Sequence, residues 1–158
     1  MAGTGVPVRE RVDGTGLTLG VVATRWHNEL VDHMLDRAIE AGEASNVDHI
    51  TVARVDGAVE LPVLAQALAR RVDAVVALGV VIRGDTSHFE YVCQSVTDGL
   101  TRVALDESTP VAHGVLTVDN YAQARARAGF EDSAEDKGYA ATLAALDAAC
   151  ALRQVAKS

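Results

Sequence analysis

The sequence predicts an α/β fold: a three-layer α/β/α sandwich built on a four-stranded parallel sheet. Two observations carry that prediction. Short apolar runs rich in β-branched residues alternate along the chain with segments whose apolar residues recur at helical spacing. One of the runs, residues 74–82, is apolar without interruption, as a strand covered on both faces must be.

The elements follow in order. Residues 17–23 form the first strand. Leu30, Val31, Met34, Leu35, Ala38, Ile39 and Gly42 then keep helical spacing. Residues 50–55 make a second strand, ended by Asp56-Gly57. A helix over 60–70 comes next, with Pro62 in its first turn, where a missing N–H costs nothing. Residues 73–82 are the third strand. Phe89, Val92, Cys93, Val96, Leu100, Val103 and Ala104 mark the following helix. The fourth strand spans 110–118, with Gly114 inside it. Asn120 caps a short helix that ends at Gly129. A polar loop, 130–136, leads to an alanine-rich final helix over 138–155. Strand-helix alternation of this kind, with right-handed crossovers, puts helices on both faces of a parallel sheet in a flavodoxin-like arrangement.

At 158 residues the chain suits one domain with a real core, preceded by an extended arm over 1–15. A charged fraction of 23% against 49% hydrophobic residues is an ordinary globular composition. The net charge of −8 argues against nucleic-acid or anionic-membrane surfaces, and an anionic substrate would need local positive charge. Cys93 and Cys150 both fall in helical apolar patterns, without a second thiol at metal-ligand spacing. The first fifteen residues hold Gly3, Gly5, Pro7 and charges but no apolar stretch of a signal peptide. No run approaches the ~20 apolar residues that span a bilayer. The chain reads as cytoplasmic.

Chemistry gathers behind the strands. Arg25-Trp26-His27-Asn28 follows the first, Asp56-Gly57-Ala58-Val59-Glu60 the second, and Arg83-Gly84-Asp85-Thr86-Ser87-His88 the third; His113 and Asn120 are read near the fourth. In parallel sheets ligands bind outside the carboxyl ends of the strands. The third segment joins a buried strand to a helix through a glycine, so backbone N–H groups converge where an anion can sit. A histidine in the first turn beside it suits proton transfer near neutral pH. Trp26 offers a face on which a planar polar ring can stack.

Five segments in order resemble the lumazine synthase family, the penultimate enzymes of riboflavin biosynthesis. They are Asp56-Gly57-Ala58-Val59-Glu60-Leu61-Pro62, Ala77 to Phe89 through Arg83-Gly84-Asp85-Thr86-Ser87-His88, Gly114-Val115-Leu116-Thr117, Gln123-Ala124-Arg125-Ala126-Arg127-Ala128-Gly129 and Asp136-Lys137-Gly138. The Trp26-His27 pair looks most like the actinobacterial branch. The resemblance implies condensation of 5-amino-6-(D-ribitylamino)uracil with 3,4-dihydroxy-2-butanone 4-phosphate, without metal or organic cofactor. It implies a homo-oligomer, most simply a pentamer with intersubunit sites. Carried over residue by residue, Trp26 stacks on the pyrimidine and Glu60 binds ribityl hydroxyls, with backbone contacts from Ala58 and Val59. Val81 and Ile82 line the ring pocket, and His113 bears on its closure. Gly84, Asp85, Thr86 and Arg127 hold the phosphate. His88 moves protons, and Lys137 lies near the pyrimidine carbonyl, with Glu135 beside it. Arg127 and Lys137 come from the neighbouring subunit.

Some positions depart from the family pattern. Trp26 stands for phenylalanine and His27 for asparagine, Asp85 for glutamate or glutamine, Asp56 for an apolar residue or proline, and His113 for phenylalanine or asparagine. The 130–136 loop lacks the glycine-rich kink associated with sixty-subunit capsids, which favours a free pentamer. The alternative is a non-catalytic flavin- or lumazine-binding, or shell-forming, homologue. Taken singly, site residues have plainer readings: Trp26 as a core or interface aromatic, Glu60 as a carboxylate favoured by a helix dipole, Arg127 as a solvated cation. His33 and His49 read as structural or surface groups, Arg70-Arg71 as a helix C-terminus, and no G-x-G-x-x-G is present.

Overall fold

Successive residues of a strand point to opposite faces, and β3 (Ala74–Ile82) shows what that does here. In a computed structural model, which describes residues 4–8 and 11–158, Ala74, Val76, Leu78 and Val80 enter one core cluster. Val75 and Ala77, between them, enter a second cluster on the other face. A strand buried on both sides has no polar face to offer, hence its uninterrupted apolar sequence.

The sheet runs β2-β1-β3-β4, all parallel, with β1 at Thr18–Thr24, β2 at His49–Val55 and β4 at Val111–Val118. Helices α1 (Asn28–Ala44) and α5 (Lys137–Lys157) cover one face. Helices α2 (Leu61–Ala69) and α3 (His88–Glu107) cover the other. The three-layer α/β/α architecture is therefore as the alternation predicts. Leu30, Val31, Met34 and Leu35 form the buried stripe of α1; each contributes about 1.5–3 kcal/mol on leaving water. Among the described residues no helix is long and apolar enough to cross a membrane.

Several boundaries differ from expectation. The second helix is preceded by a 3₁₀ turn, Ala58–Glu60, so that Pro62 falls in the first turn of α2 as required. The short helix after β4 does not reach Gly129: α4 is only Tyr121–Arg125. Its cap is as expected, Asn120 Oδ1 accepting from Gln123 N–H at 2.9 Å. Beyond it the backbone turns back, because Ala128 bridges Asp136 and Gly129 adopts φ +85°. Helix α5 starts at Lys137, capped by Asp136. At the end of α2, Arg70 stands at the C-cap position and its side chain pairs with Glu107 at 3.0 Å. His33 is structural, its Nε2 bonded to Gly129 O at 2.9 Å and its ring stacked on Phe130 at 3.9 Å.

Candidate active site

Each of the first three strands ends by delivering a short loop to the same rim. After β1 the chain is held from β2: Arg25 N–H donates to Val55 O at 2.9 Å, and Trp26 N–H donates to Asp56 O at 3.3 Å. His27 then takes the left-handed conformation, φ 53°, to start α1. Trp26 is left 64% exposed, a large apolar side chain open to solvent. After β2, Gly57 N–H donates to Glu60 Oε2 at 2.9 Å, so the carboxylate curls back over its own turn. A Cβ built on Gly57 would lie 3.2 Å from Glu60 Oε2 and 3.7 Å from Trp26 Cδ1. Trp26 and Glu60 thus flank one glycine, an aromatic plate beside a hydrogen-bond acceptor. Ala58 is half-buried and Val59 exposed on the same turn.

The loop after β3 is more open still. Gly84, Asp85, Thr86, Ser87 and His88 are all exposed, and a Cβ on Gly84 would meet nothing within 4 Å. His88 N–H donates to Thr86 Oγ1 at 3.3 Å. Among the described residues the amides of Gly84, Asp85, Thr86 and Ser87 donate to none. These unpaired N–H groups at the start of α3 are what an oxyanion seeks. Val81 and Ile82, half-buried at the end of β3, pack on opposite faces of the sheet, Ile82 against the first core cluster and Val81 against the second.

The positive charge next to this loop is already spent. Arg83 Nε reaches Asp119 Oδ1 at 2.8 Å, its other arm binds Glu90, and its guanidinium lies 4.4 Å over Phe89. Hydrogen bonding to Asp119 and Glu90 raises the Arg83 pKa, and the Arg83 bond lowers that of Glu90. With Asp85 and Glu90 nearby, the loop has backbone donors but no free cation of its own.

Arg127 and Lys137 lie elsewhere. Lys137 N–H donates to Arg127 O at 3.0 Å, which brings these two residues together at the start of α5. The Arg127 guanidinium donates to Gln123 O at 2.8 Å, and among the described residues neither side chain has an ion pair. His113 is close enough to Lys137 to feel its charge. This corrects one expectation: His113 is not at the rim. It pairs in register with Ala77, whereas Val118 pairs with Ile82, so it sits low on the edge strand β4, with Nε2 3.0 Å from Thr97 Oγ1. The residue order alone could not reveal this, because His113 belongs to the strand and not to the loop after it. Burial, then Lys137, lowers its pKa.

The predicted residues therefore form two groups: Trp26, Ala58, Val59, Glu60, Val81, Ile82, Gly84, Asp85, Thr86 and His88 around the strand ends, and His113, Arg127 and Lys137 beside β4. A cleft of about 380 Å³ between α3 and the β4–α4 corner, lined among others by Arg83, Cys93, Thr97 and Asp119, includes none of them. Sequence reasoning assigned no role to Asp119 and Glu90, which neutralise Arg83. No local pattern marks them, since Asp119 is 36 residues from Arg83.

Comparison with known proteins gives the family. The model of the family described as 6,7-dimethyl-8-ribityllumazine synthase matches residues 16–153. The protein of that name from Salinispora arenicola is 65% identical over all of this chain and 95% of its own length. Those from Thermobifida fusca and Saccharopolyspora erythraea are 61% and 59% identical over 98% of this chain, covering 91% and 94% of theirs. A match of that extent means that the chain belongs to the 6,7-dimethyl-8-ribityllumazine synthase family.

Proposed function

We propose that this chain carries out its family's reaction at a site shared between two subunits of a cytoplasmic homopentamer. The reaction is a transferase step of riboflavin biosynthesis: 5-amino-6-(D-ribitylamino)uracil condenses with 3,4-dihydroxy-2-butanone 4-phosphate to give 6,7-dimethyl-8-ribityllumazine, phosphate and water. The amine attacks the ketone and an imine forms with loss of one water; phosphate is eliminated, and attack of the ribitylamino nitrogen on the remaining carbonyl closes the second ring with loss of a second water. Those steps call for two substrates held together, an anchored phosphate and a group that moves protons.

One observation supports the shared site above all. The loop with unpaired N–H groups has its one arginine, Arg83, tied up in ion pairs, while among the described residues Arg127 and Lys137 have no counter-ion in their own subunit. Each half lacks what the other holds. On this reading Trp26 stacks on the pyrimidine, Glu60 turns from the Gly57 amide to the ribityl hydroxyls, and Gly84, Asp85 and Thr86 hold the phosphate through the backbone. His88, one helical turn or less from that loop, moves the protons. Arg127 of the adjacent subunit completes the phosphate site, Lys137 meets the pyrimidine carbonyl, and His113 closes the pocket from the same side.

The test is to mix the purified protein with both substrates and follow lumazine fluorescence against the uncatalysed background. Accelerated formation is the expected result. Tight binding of the lumazine product without acceleration would reject the catalytic assignment in favour of a binding protein.

A further inference from the structure

The segment 126–137 turns back on itself and carries both Arg127 and Lys137. Glu135 N–H donates to Ala126 O at 3.0 Å, Gly129 N–H to Glu135 O at 3.1 Å, and Lys137 N–H to Arg127 O at 3.0 Å. This ladder is short and, by itself, no more than marginally stable. What holds it is a side chain from a different layer position, Arg37 in the middle of α1. Its Nε and second terminal nitrogen both lie 2.7 Å from Asp136 Oδ2, its remaining arm binds Glu40, and its guanidinium sits 4.9 Å over the Tyr139 ring. Asp136 is also the N-cap of α5, accepting from Tyr139 N–H at 3.4 Å.

We propose that Arg37 is a positioning residue that fixes Arg127 and Lys137 by clasping the Asp136 carboxylate between them and α1. The inference deepens the shared-site reading and rests on it. The geometry leaves little slack at the clasp. A Cβ on Gly129, at φ +85°, would come within 2.3 Å of Asp136 Oδ1 and 3.1 Å of Arg37 Cγ. Both Arg37 and Asp136 are partly buried, with 26% and 30% side-chain exposure, where a forked guanidinium–carboxylate pair is better ordered than a surface pair. Loss of the fork frees the carboxylate, and the turn with its two cations then samples more than one arrangement.

The experiment uses the full-length protein with Arg37→Met, Arg37→Lys and Asp136→Asn; the asparagine keeps the helix cap while weakening the clasp. Hydrogen exchange followed by mass spectrometry reads the turn without reference to activity. Exchange at the Glu135 and Lys137 amides is expected to rise roughly tenfold in Arg37→Met and Asp136→Asn, with the β1 and β3 amides unchanged. In parallel, KM for the phosphate-bearing substrate is expected to rise about tenfold in Arg37→Met and less in Arg37→Lys, with kcat changed less than KM. In an Arg127→Ala background the same Arg37→Met change should add less than about twofold, because the two residues act through one element. Unchanged exchange in both Arg37→Met and Asp136→Asn overturns the inference, as does full additivity with Arg127→Ala. Absence of product formation by the unmodified protein rejects the functional reading instead, and the positioning role with it.

Discussion

His88 opens α3 with its side chain exposed and its backbone N–H tied to Thr86 Oγ1, so the ring is anchored by its main chain while, among the described residues, its nitrogens have no partner. A group placed so should affect proton movement more than binding. His88→Ala is expected to lower turnover by about 10²–10⁴-fold, the usual worth of a positioned acid or base, while the pyrimidine substrate binds within about twofold. A matched pair of steady-state and equilibrium-binding measurements checks this, and a large loss of pyrimidine affinity at unchanged turnover would reject it. His113 makes the opposite case. Burial, with Lys137 behind it, keeps its folded pKa below the ordinary value, so the folded state resists a proton that the unfolded chain accepts. Its contribution to stability is therefore intact above about pH 6.5, the unfolded value, and is lost as pH falls below that. His113→Asn, which can still bond to Thr97, should show a smaller fall in Tm between pH 7.5 and pH 5 than the unmodified protein. Equal falls would mean that His113 is not the group responsible.

At the scale of elements, the contact between α1 and α5 is set by Gly138. A Cβ there would stand 2.2 Å from Met34 O and 3.0 Å from Met34 C, both backbone atoms of α1 that cannot swing aside. Gly138→Ala is accordingly expected to destabilise the fold by about 1–3 kcal/mol as the helices are pushed apart, read as a lower Tm or denaturant midpoint. An unchanged midpoint would show that α5 shifts without penalty. The strands and helices were legible in the sequence because their burial is periodic: β3 is apolar on both faces, and Leu30, Val31, Met34 and Leu35 mark the stripe of α1. The same logic placed Trp26, Glu60 and His88 at strand ends, where the structure has them. It failed where contacts join residues far apart in the chain. The short α4 gives way to a turn because Ala128 meets Asp136, and Arg37 reaches Asp136 across 99 residues. His113 was set at the wrong height for a related reason, since only the register with β3 decides which end of β4 it occupies.

At the scale of the whole molecule, the charge distribution bears on assembly. The chain carries a net charge of −8, and the strand-end loop adds Asp85 and Glu90 beside an already neutralised Arg83. An isolated subunit would thus draw a phosphate ester weakly to that loop, whereas a neighbour presenting Arg127 would reverse the local sign. A ring of subunits joined head to tail repeats such a contact once per subunit. This leads to a prediction about mixtures. His88→Ala and Arg127→Ala subunits, each nearly inactive alone, can be unfolded together in equal amounts and refolded as hybrids. If the site spans an interface, a subunit with intact His88 can meet one with intact Arg127, and random assembly in a ring makes about one quarter of interfaces complete. Activity should then return to roughly that fraction of the unmodified protein refolded in parallel. Recovery no greater than the sum of the two parents would place both residues in one subunit's site and remove the reason for a shared one. Sedimentation of the same hybrids measures the number of subunits in the ring, for which five is the expected result.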